Sequence, residues 1–105
     1  MVLKKDLTIS IVTPSYNQGQ FIEDTIKSVI TQKGNFYIDY VVVDGQSTDN
    51  TVGIIKKYSE RLNSKKFSPQ CRGISFKWIS EKDAGPVDAL HKGFKLITGD
   101  VCSWL

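Results

Sequence analysis

Tyr40-Val41-Val42-Val43-Asp44-Gly45-Gln46-Ser47-Thr48-Asp49 decides the fold. A short, wholly apolar run rich in β-branched residues is what a strand buried on both faces of a parallel sheet requires. Asp44-Gly45-Gln46-Ser47 then turns the chain, and Ser47 or Thr48 is placed to cap a following helix whose buried stripe is Val52, Ile55, Tyr58 and Leu62. Upstream, Leu7 to Val12 alternates and then becomes apolar, which predicts a strand ended by Pro14, because proline cannot donate to a sheet ladder. Phe21, Ile22, Ile26, Val29 and Ile30 share one helical face, with Gly34 as the stop. Downstream, polar residues Asn63 to Gly73 form a loop, Ile74 to Ile79 alternates as a third strand, and Gly85-Pro86 opens a helix. Val87, Leu90, Phe94 and Ile97 mark the buried face of that helix, Gly99 closes it, and Val101 to Leu105 begins a fourth strand.

The order β-α-β-α-β-α-β predicts an α/β fold of three layers, a mostly parallel sheet with helices on both faces. Ligands of such sheets sit beyond the carboxyl ends of the strands. Each strand leaves a polar loop there: Thr13-Pro14-Ser15-Tyr16-Asn17, Asp44 to Asp49, and Ser80-Glu81-Lys82-Asp83-Ala84-Gly85. Singly, each has an ordinary explanation as a strand end, a turn or a helix start. Together on one rim they offer Tyr16 to stack on a base and Asp44 to accept hydrogen bonds from base N–H or ribose hydroxyl groups. Three helix starts add backbone N–H groups.

Composition fits one domain of 105 residues, 40% hydrophobic and 24% charged. A domain this small buries about 60–70% of its unfolded surface, so its stability is expected to be modest. The net charge of +3 is too mild, and the lysines too scattered, to indicate nucleic acid. Cys71 and Cys102 have no metal-ligand spacing and read as free thiols. No apolar run reaches the ~20 residues of a membrane span, and the start of the chain has no signal-peptide core. The expected location is cytoplasmic, with the inner face of a membrane as the place for any peripheral contact.

Four motifs carry a family resemblance. Ile11 to Asn17 is similar to the opening strand and loop of family 2 glycosyltransferases, and Val43 to Thr51 resembles their acidic second motif. Ser80 to Gly93 resembles a third motif of a subgroup, and Gly99-Asp100 with the apolar strand after it resembles the run-in to an Asp-x-Asp segment. The resemblance implies a GT-A, Rossmann-like half and transfer of a sugar from a UDP- or GDP-sugar to the hydroxyl of a glycan or lipid-linked glycan, in polysaccharide or cell-envelope synthesis. By position it implies that Pro14 and Tyr16 line the base pocket, that Asp44 contacts base or ribose, that Asp83 lies towards ribose and diphosphate, and that Lys92 neutralises diphosphate charge. In two places the chain departs from the pattern. Gly45 stands where many relatives have a second acid, and His91 where the third motif often has asparagine.

The resemblance further implies Mg²⁺ or Mn²⁺ bridging the donor diphosphate, because a hard cation neutralises the charge that develops on the leaving group. Its Asp-x-Asp ligands would follow Leu105, so residues 1–105 are expected to be the N-terminal nucleotide-binding part of a catalytic domain, with no catalytic and no metal-binding residue. Such a chain is expected to bind nucleotide weakly, to transfer no sugar alone, and to self-associate through the uncovered strand at Trp104 and Leu105. The competing readings are a non-catalytic nucleotide-binding or interaction module, and an unrelated doubly wound protein such as a response-regulator-like domain.

Overall fold

A computed structural model describes residues 7–64 and 66–97, and the backbone of 101–104. β1 (Thr8–Ser15), α1 (Ile22–Ile30), β2 (Tyr37–Asp44), α2 (Thr51–Asn63), β3 (Gly73–Ser80), α3 (Pro86–Phe94) and β4 (Val101–Trp104) follow in that order. The four strands form one sheet in the order β3-β2-β1-β4, and all three pairings are parallel. β2 lies inside it and is buried from Ile38 to Asp44, as its apolar run requires.

The pleat sorts the side chains into two cores. Ile11, Ile38, Tyr40, Val42 and Phe76 pack against Ile22, Ile26, Val29 and Ile30 of α1 and Ile55 and Tyr58 of α2. Val12, Val41 and Val43 face the other way and pack against Ala89 of α3. Helices α1 and α2 therefore cover one face and α3 the other, the three-layer arrangement expected from the strand–helix alternation. Glu23 ties the two helices of the first layer, accepting from Lys57 Nζ and from the Tyr58 hydroxyl, each at 2.8 Å. In the first core the Tyr40 hydroxyl meets Thr13 Oγ1 at 2.8 Å. Burial pushes its pKa up to about 12, with the Thr13 bond opposing.

Four local expectations are corrected. Pro14 does not end β1; it pairs with Val43, and the strand runs on to Ser15. The Ser15 carbonyl accepts from Gly45 N–H, so odd residues of β1 point their backbone groups at β2 and Pro14 points to the opposite side. Among the described residues the register with β4 runs from Ile9–Val101 to Val12–Trp104, and Pro14 takes no bond from its β2 neighbour's side of the ladder. Second, β2 begins at Tyr37 and includes Asp39, a buried carboxylate accepting from Ser10 Oγ at 3.3 Å with Lys77 Nζ at 3.6 Å. Third, Phe21 sits at the N-cap of α1 and is exposed, so the apolar stripe starts at Ile22.

The fourth correction concerns α3. Its buried residues are Ala89 and Gly93, whereas Val87 is 81% exposed and Phe94 42% exposed. Leu90 and Ile97 of the expected stripe pack half-buried against the second core, and at the closest approach only small side chains fit: a Cβ on Gly93 would overlap Val12 Cγ1. Thr98, Gly99, Asp100 and Leu105 and the side chains of Val101 to Trp104 lie outside the described residues. α3 ends at Phe94 with Lys95 at its C-cap, so Gly99 does not close it; the expectations placed on Asp100 and the uncovered edge lie outside the described residues. Among the described residues, no helix is long and apolar enough to cross a membrane.

Replacing Gly93 by alanine tests the close approach. Overpacking against the stiff, buried Val12 costs about 1–3 kcal/mol. That exceeds the roughly 1 kcal/mol alanine gains over glycine within a helix. Urea unfolding of Gly93→Ala should show a net loss of stability; a gain would mean that α3 stands off the sheet.

Candidate functional site

The carboxyl ends of the first three strands lie level, with Ser15 paired to Asp44 and Asp44 to Ser80. Asp44 is wholly buried at the centre of this row. Its Oδ2 accepts the Ser47 N–H and the Ser80 hydroxyl, both at 2.8 Å, and its Oδ1 accepts the Ser47 hydroxyl at 2.5 Å. A carboxylate has about four lone-pair positions, so one remains, on Oδ1. The Ser47 hydroxyl is used twice, because it also accepts the N–H of Asn17 at 2.8 Å.

A second set of bonds joins the first two loops. Asn17, at φ 50°, accepts the Thr48 N–H on its side-chain oxygen at 2.8 Å. Asp49 Oδ2 accepts Gly19 N–H at 3.0 Å, while its Oδ1 accepts the Thr51 hydroxyl at 2.5 Å and the Thr51 N–H at 3.0 Å. Those bonds, led by the Thr51 hydroxyl, hold Asp49 below its ordinary value of 3.8 against a small opposing effect of burial. Neither Ser47 nor Thr48 caps α2. Asn50 occupies the N-cap without a side-chain cap bond, because Ser47 and Thr48 are turned towards the first loop.

The third loop is fixed from α3. Lys92 Nζ donates to the Lys82 carbonyl at 2.8 Å and lies 3.2 Å from Glu81 and 3.6 Å from Asp88. Burial pulls this ammonium down, but Glu81, Asp88 and Asp83 outweigh it and hold it above its ordinary 10.5. Asp88 accepts Ala84 N–H at 3.0 Å, which, with Lys92, keeps its carboxyl below 3.8. Gly85, at φ 112°, precedes Pro86 at the helix start. Asp83 Oδ1 accepts Gly85 N–H at 3.0 Å, and the carboxylate rests on the backbone of Gly45, where a Cβ would stand 2.9 Å from Oδ2.

Between these loops opens a cleft of about 680 Å³, lined by Pro14, Ser15, Tyr16 and Gln18 of the first loop, Gly45 and Gln46 of the second, and Lys82, Asp83, Gly85, Pro86 and Ala89 of the third loop and α3. Tyr16 is 57% exposed at its rim. The Ser15 hydroxyl is buried and has no hydrogen-bond partner among the described residues. Of the residues singled out in the sequence, Pro14, Tyr16 and Asp83 line the cleft, Asp44 lies buried within the rim, and Lys92 braces the third loop behind it. His91 is exposed on α3.

Sequence reasoning missed Gln18, Gln46, Lys82, Pro86 and Ala89 as lining residues, and Asn17, Ser80 and Asp49 as the bonds that shape the rim. The spacing of Ala89 and Gly93, one turn apart, was the available signal for which side of α3 meets the sheet. Among the described residues, no three His, Cys, Asp or Glu side chains come together as a metal site. The described part of the cleft therefore does not by itself fit the divalent cation that the family resemblance implies.

A sheet whose strand ends carry such a cleft is common to many chemistries, and comparison with known proteins narrows the choice. The model of glycosyl transferase family 2 matches residues 10–105. The chain belongs to this family. Chondroitin synthase of Pasteurella multocida is 30% identical over 83 residues, which is 79% of this chain and 7% of that protein. The mannosyltransferase PcManGT of Pyrobaculum calidifontis, solved with GDP-Man and Mn²⁺, superposes with a TM-score of 0.70 at 20% identity, over 90% of this chain and 25% of that one. TarS 1-349 of S. aureus, solved with UDP-GlcNAc, gives 0.68 at 24% identity, over 94% of this chain and 26% of that one. These two likenesses are of fold, the GT-A type. The family 2 chain thus spans about a quarter or less of the length of these proteins.

Two predictions test the rim. The bonds to Asp49 contribute stability that is fully present above 3.8 and is lost as pH falls below it, because the folded carboxyl has the lower pKa. Urea melts of Asp49→Asn should show a deficit at neutral pH that shrinks below that value; a deficit independent of pH would mean that the ionised form is not what the rim uses. Gln46 sits at φ 64°, in the left-handed region. Gln46→Gly should stabilise the chain by about 0.5–1 kcal/mol, the backbone relief less the entropy glycine loses on folding, and a lower melting temperature would contradict it.

Proposed function

We propose that this chain is the donor-binding, N-terminal portion of a longer family 2 transferase, one that moves a sugar from a nucleoside-diphosphate sugar to an acceptor hydroxyl. The observation that carries the proposal is the cleft at three level strand ends, with an exposed aromatic ring on one side and a carboxylate on the other. Nucleotide sugars occupy the solved GT-A neighbours, GDP-Man in one and UDP-GlcNAc in the other, and this supports a nucleotide sugar as the ligand here. Relatives include a chondroitin synthase, which supports an acceptor that is a growing polysaccharide or envelope glycan.

In this reading the ring of Tyr16 stacks on the base, a contact worth about 1–3 kcal/mol. Pro14 walls the base pocket, Asp44 holds the second and third loops in place from beneath through Ser47 and Ser80, and Asp83 accepts from the nucleoside side. Lys92 acts at one remove: it fixes the Lys82 carbonyl and so the third loop. The chain's own residues bind and orient the donor. Breakage of the sugar–phosphate bond, charge neutralisation on the departing diphosphate by Mg²⁺ or Mn²⁺, and removal of the acceptor proton all need groups beyond this set. Residues 1–105 alone therefore bind nucleotide and transfer no sugar.

The test is a titration of isotope-labelled chain with UDP and with GDP at millimolar concentration, followed by amide chemical shifts. Residues of the cleft, Tyr16, Gly45 and Gln46 among them, should move, and Tyr16→Ala should weaken binding about tenfold or more, as loss of one stacked base implies. No shift with either nucleotide would overturn the proposal.

A further inference from the structure

The charges of this chain are sorted along the strands. All strands run towards the cleft and the helices run back, so the helix C-termini share the far end of the sheet with residues 31–36 and 64–72. The cleft end carries the acids: Glu23 and Asp24 in the first turn of α1, Asp49 before α2, and Glu81, Asp83 and Asp88 around the third loop. The far end is basic. Lys33, Lys66 and Arg72 lie in its loops, Arg61 in the last turn of α2, and Lys95 at the C-cap of α3. Among the described residues, Glu60 is the one acid in the last helical turns and the loops beyond them.

Cations at helix ends offset the macrodipole, which accounts for Arg61 and Lys95. It does not account for the loops. Segments 31–36 and 64–72 contain Lys33, Lys65, Lys66 and Arg72 and no acid. The two are joined into one surface: Arg72 N–H donates to the Phe36 carbonyl at 2.8 Å and Gly34 N–H to the Gln70 carbonyl at 3.3 Å. The Arg72 guanidinium also lies 5.3 Å from the centre of the Tyr37 ring. Lys33 and Lys66 are exposed, and among the described residues no carboxylate pairs with either. A strand of eight residues is about 26 Å long, roughly three Debye lengths at physiological salt. The acids around the cleft therefore do not cancel this pole. Phe94, 42% exposed, stands next to Lys95 at the same end. An exposed ring among cations suits a headgroup layer, where both its apolar body and the charges beside it find partners.

We propose that this basic pole, centred on Lys33, Lys66 and Arg72, is a docking surface for an anionic phospholipid bilayer. Clusters of about four to eight Lys and Arg residues are enough to hold a protein at such a surface. Docked in this way, the chain turns its cleft away from the lipid and leaves it open to solution. The contact is made by residues that touch nothing in the cleft, so the inference stands or falls apart from the nucleotide-sugar reading.

The test sediments the full chain, without nucleotide, with vesicles of phosphatidylcholine alone and of phosphatidylcholine mixed with phosphatidylglycerol. The chain should pellet with the anionic vesicles at low salt and leave them at about 1 M salt, where the Debye length is roughly 3 Å. Each basic residue near an anionic surface is worth about fivefold in partitioning. Lys33→Gln with Lys66→Gln should therefore weaken vesicle binding about 25-fold, while Lys82→Gln, the same charge change at the cleft end, should alter it by no more than about twofold. Amide dispersion reports whether each variant is folded; should the double variant fail, Lys66→Gln alone carries the comparison with Lys82→Gln. Equal pelleting with both kinds of vesicle, binding that survives high salt, or an equal loss in Lys82→Gln overturns the proposal. So does a chain that is retained by immobilised polyglutamate at low salt and ignores the anionic vesicles, because the pole would then serve a soluble polyanion.

Discussion

Everything at the top of the sheet depends on one buried carboxylate. Asp44 has no contact with solvent, so its charge is tolerable only if hydrogen bonds replace its hydration. Ser47 supplies two of them and Ser80 the third, which draws the second loop back over its own strand and joins it to the third. Once Ser47 is fixed, its oxygen is positioned for Asn17, whose side chain in turn holds Thr48. The chain of bonds runs from the third strand to the first loop, and removing any donor would leave a buried charge short of partners, a costly state. Tyr16, one residue before Asn17, is thereby left outside the network and exposed at the cleft.

The same network explains why an acid-rich, hydroxyl-rich motif is not itself the ligand site in any simple sense. Ser47, Thr48, Asp49 and Asn17 spend their hydrogen-bonding capacity on one another and on Gly19 and Thr51. Their contribution is shape. The third loop is handled in the same way, with Lys92 and Asp88 reaching back from α3 to hold it. A cation that sequence position alone would assign to a diphosphate is, in the fold, surrounded by Glu81 and Asp88 and bonded to a carbonyl.

How much of this could be read beforehand follows from the kind of signal involved. β2 was legible because a strand buried on both faces leaves an unbroken apolar run, and α1 because Ile22, Ile26, Val29 and Ile30 repeat at helical spacing. The layer order followed from strand–helix alternation. Pro14 misled because the rule against proline in a ladder depends on which neighbour its nitrogen faces, a fact of sheet order and not of sequence. α3 misled for a related reason. Hydrophobic spacing points to Val87, Leu90, Phe94 and Ile97, of which Leu90 and Ile97 do pack on the second core, but the closest approach to β1 belongs to Ala89 and Gly93 and leaves Val87 and Phe94 exposed. In the site, the rim and its residue types were legible. Which polar groups face inwards was not, since that is settled by partners about 30 residues apart, such as Asn17 with Ser47 and Asp44 with Ser80.

What remains for a ligand can be weighed. With the second motif occupied internally, the polar and aromatic residues that line the cleft are Ser15, Tyr16, Gln18, Gln46, Lys82 and Asp83. Stacking contributes about 1–3 kcal/mol, and one hydrogen bond to a charged group about 1.5–3. Together these come to roughly the 4 kcal/mol of a millimolar dissociation constant. On the proposed reading, the cleft therefore has enough to choose a nucleoside and too little to hold one tightly. On that reading, tight binding of a nucleoside diphosphate needs positive charge away from the Asp83 carboxylate, so that recognition of the nucleoside is separated from neutralisation of the diphosphate.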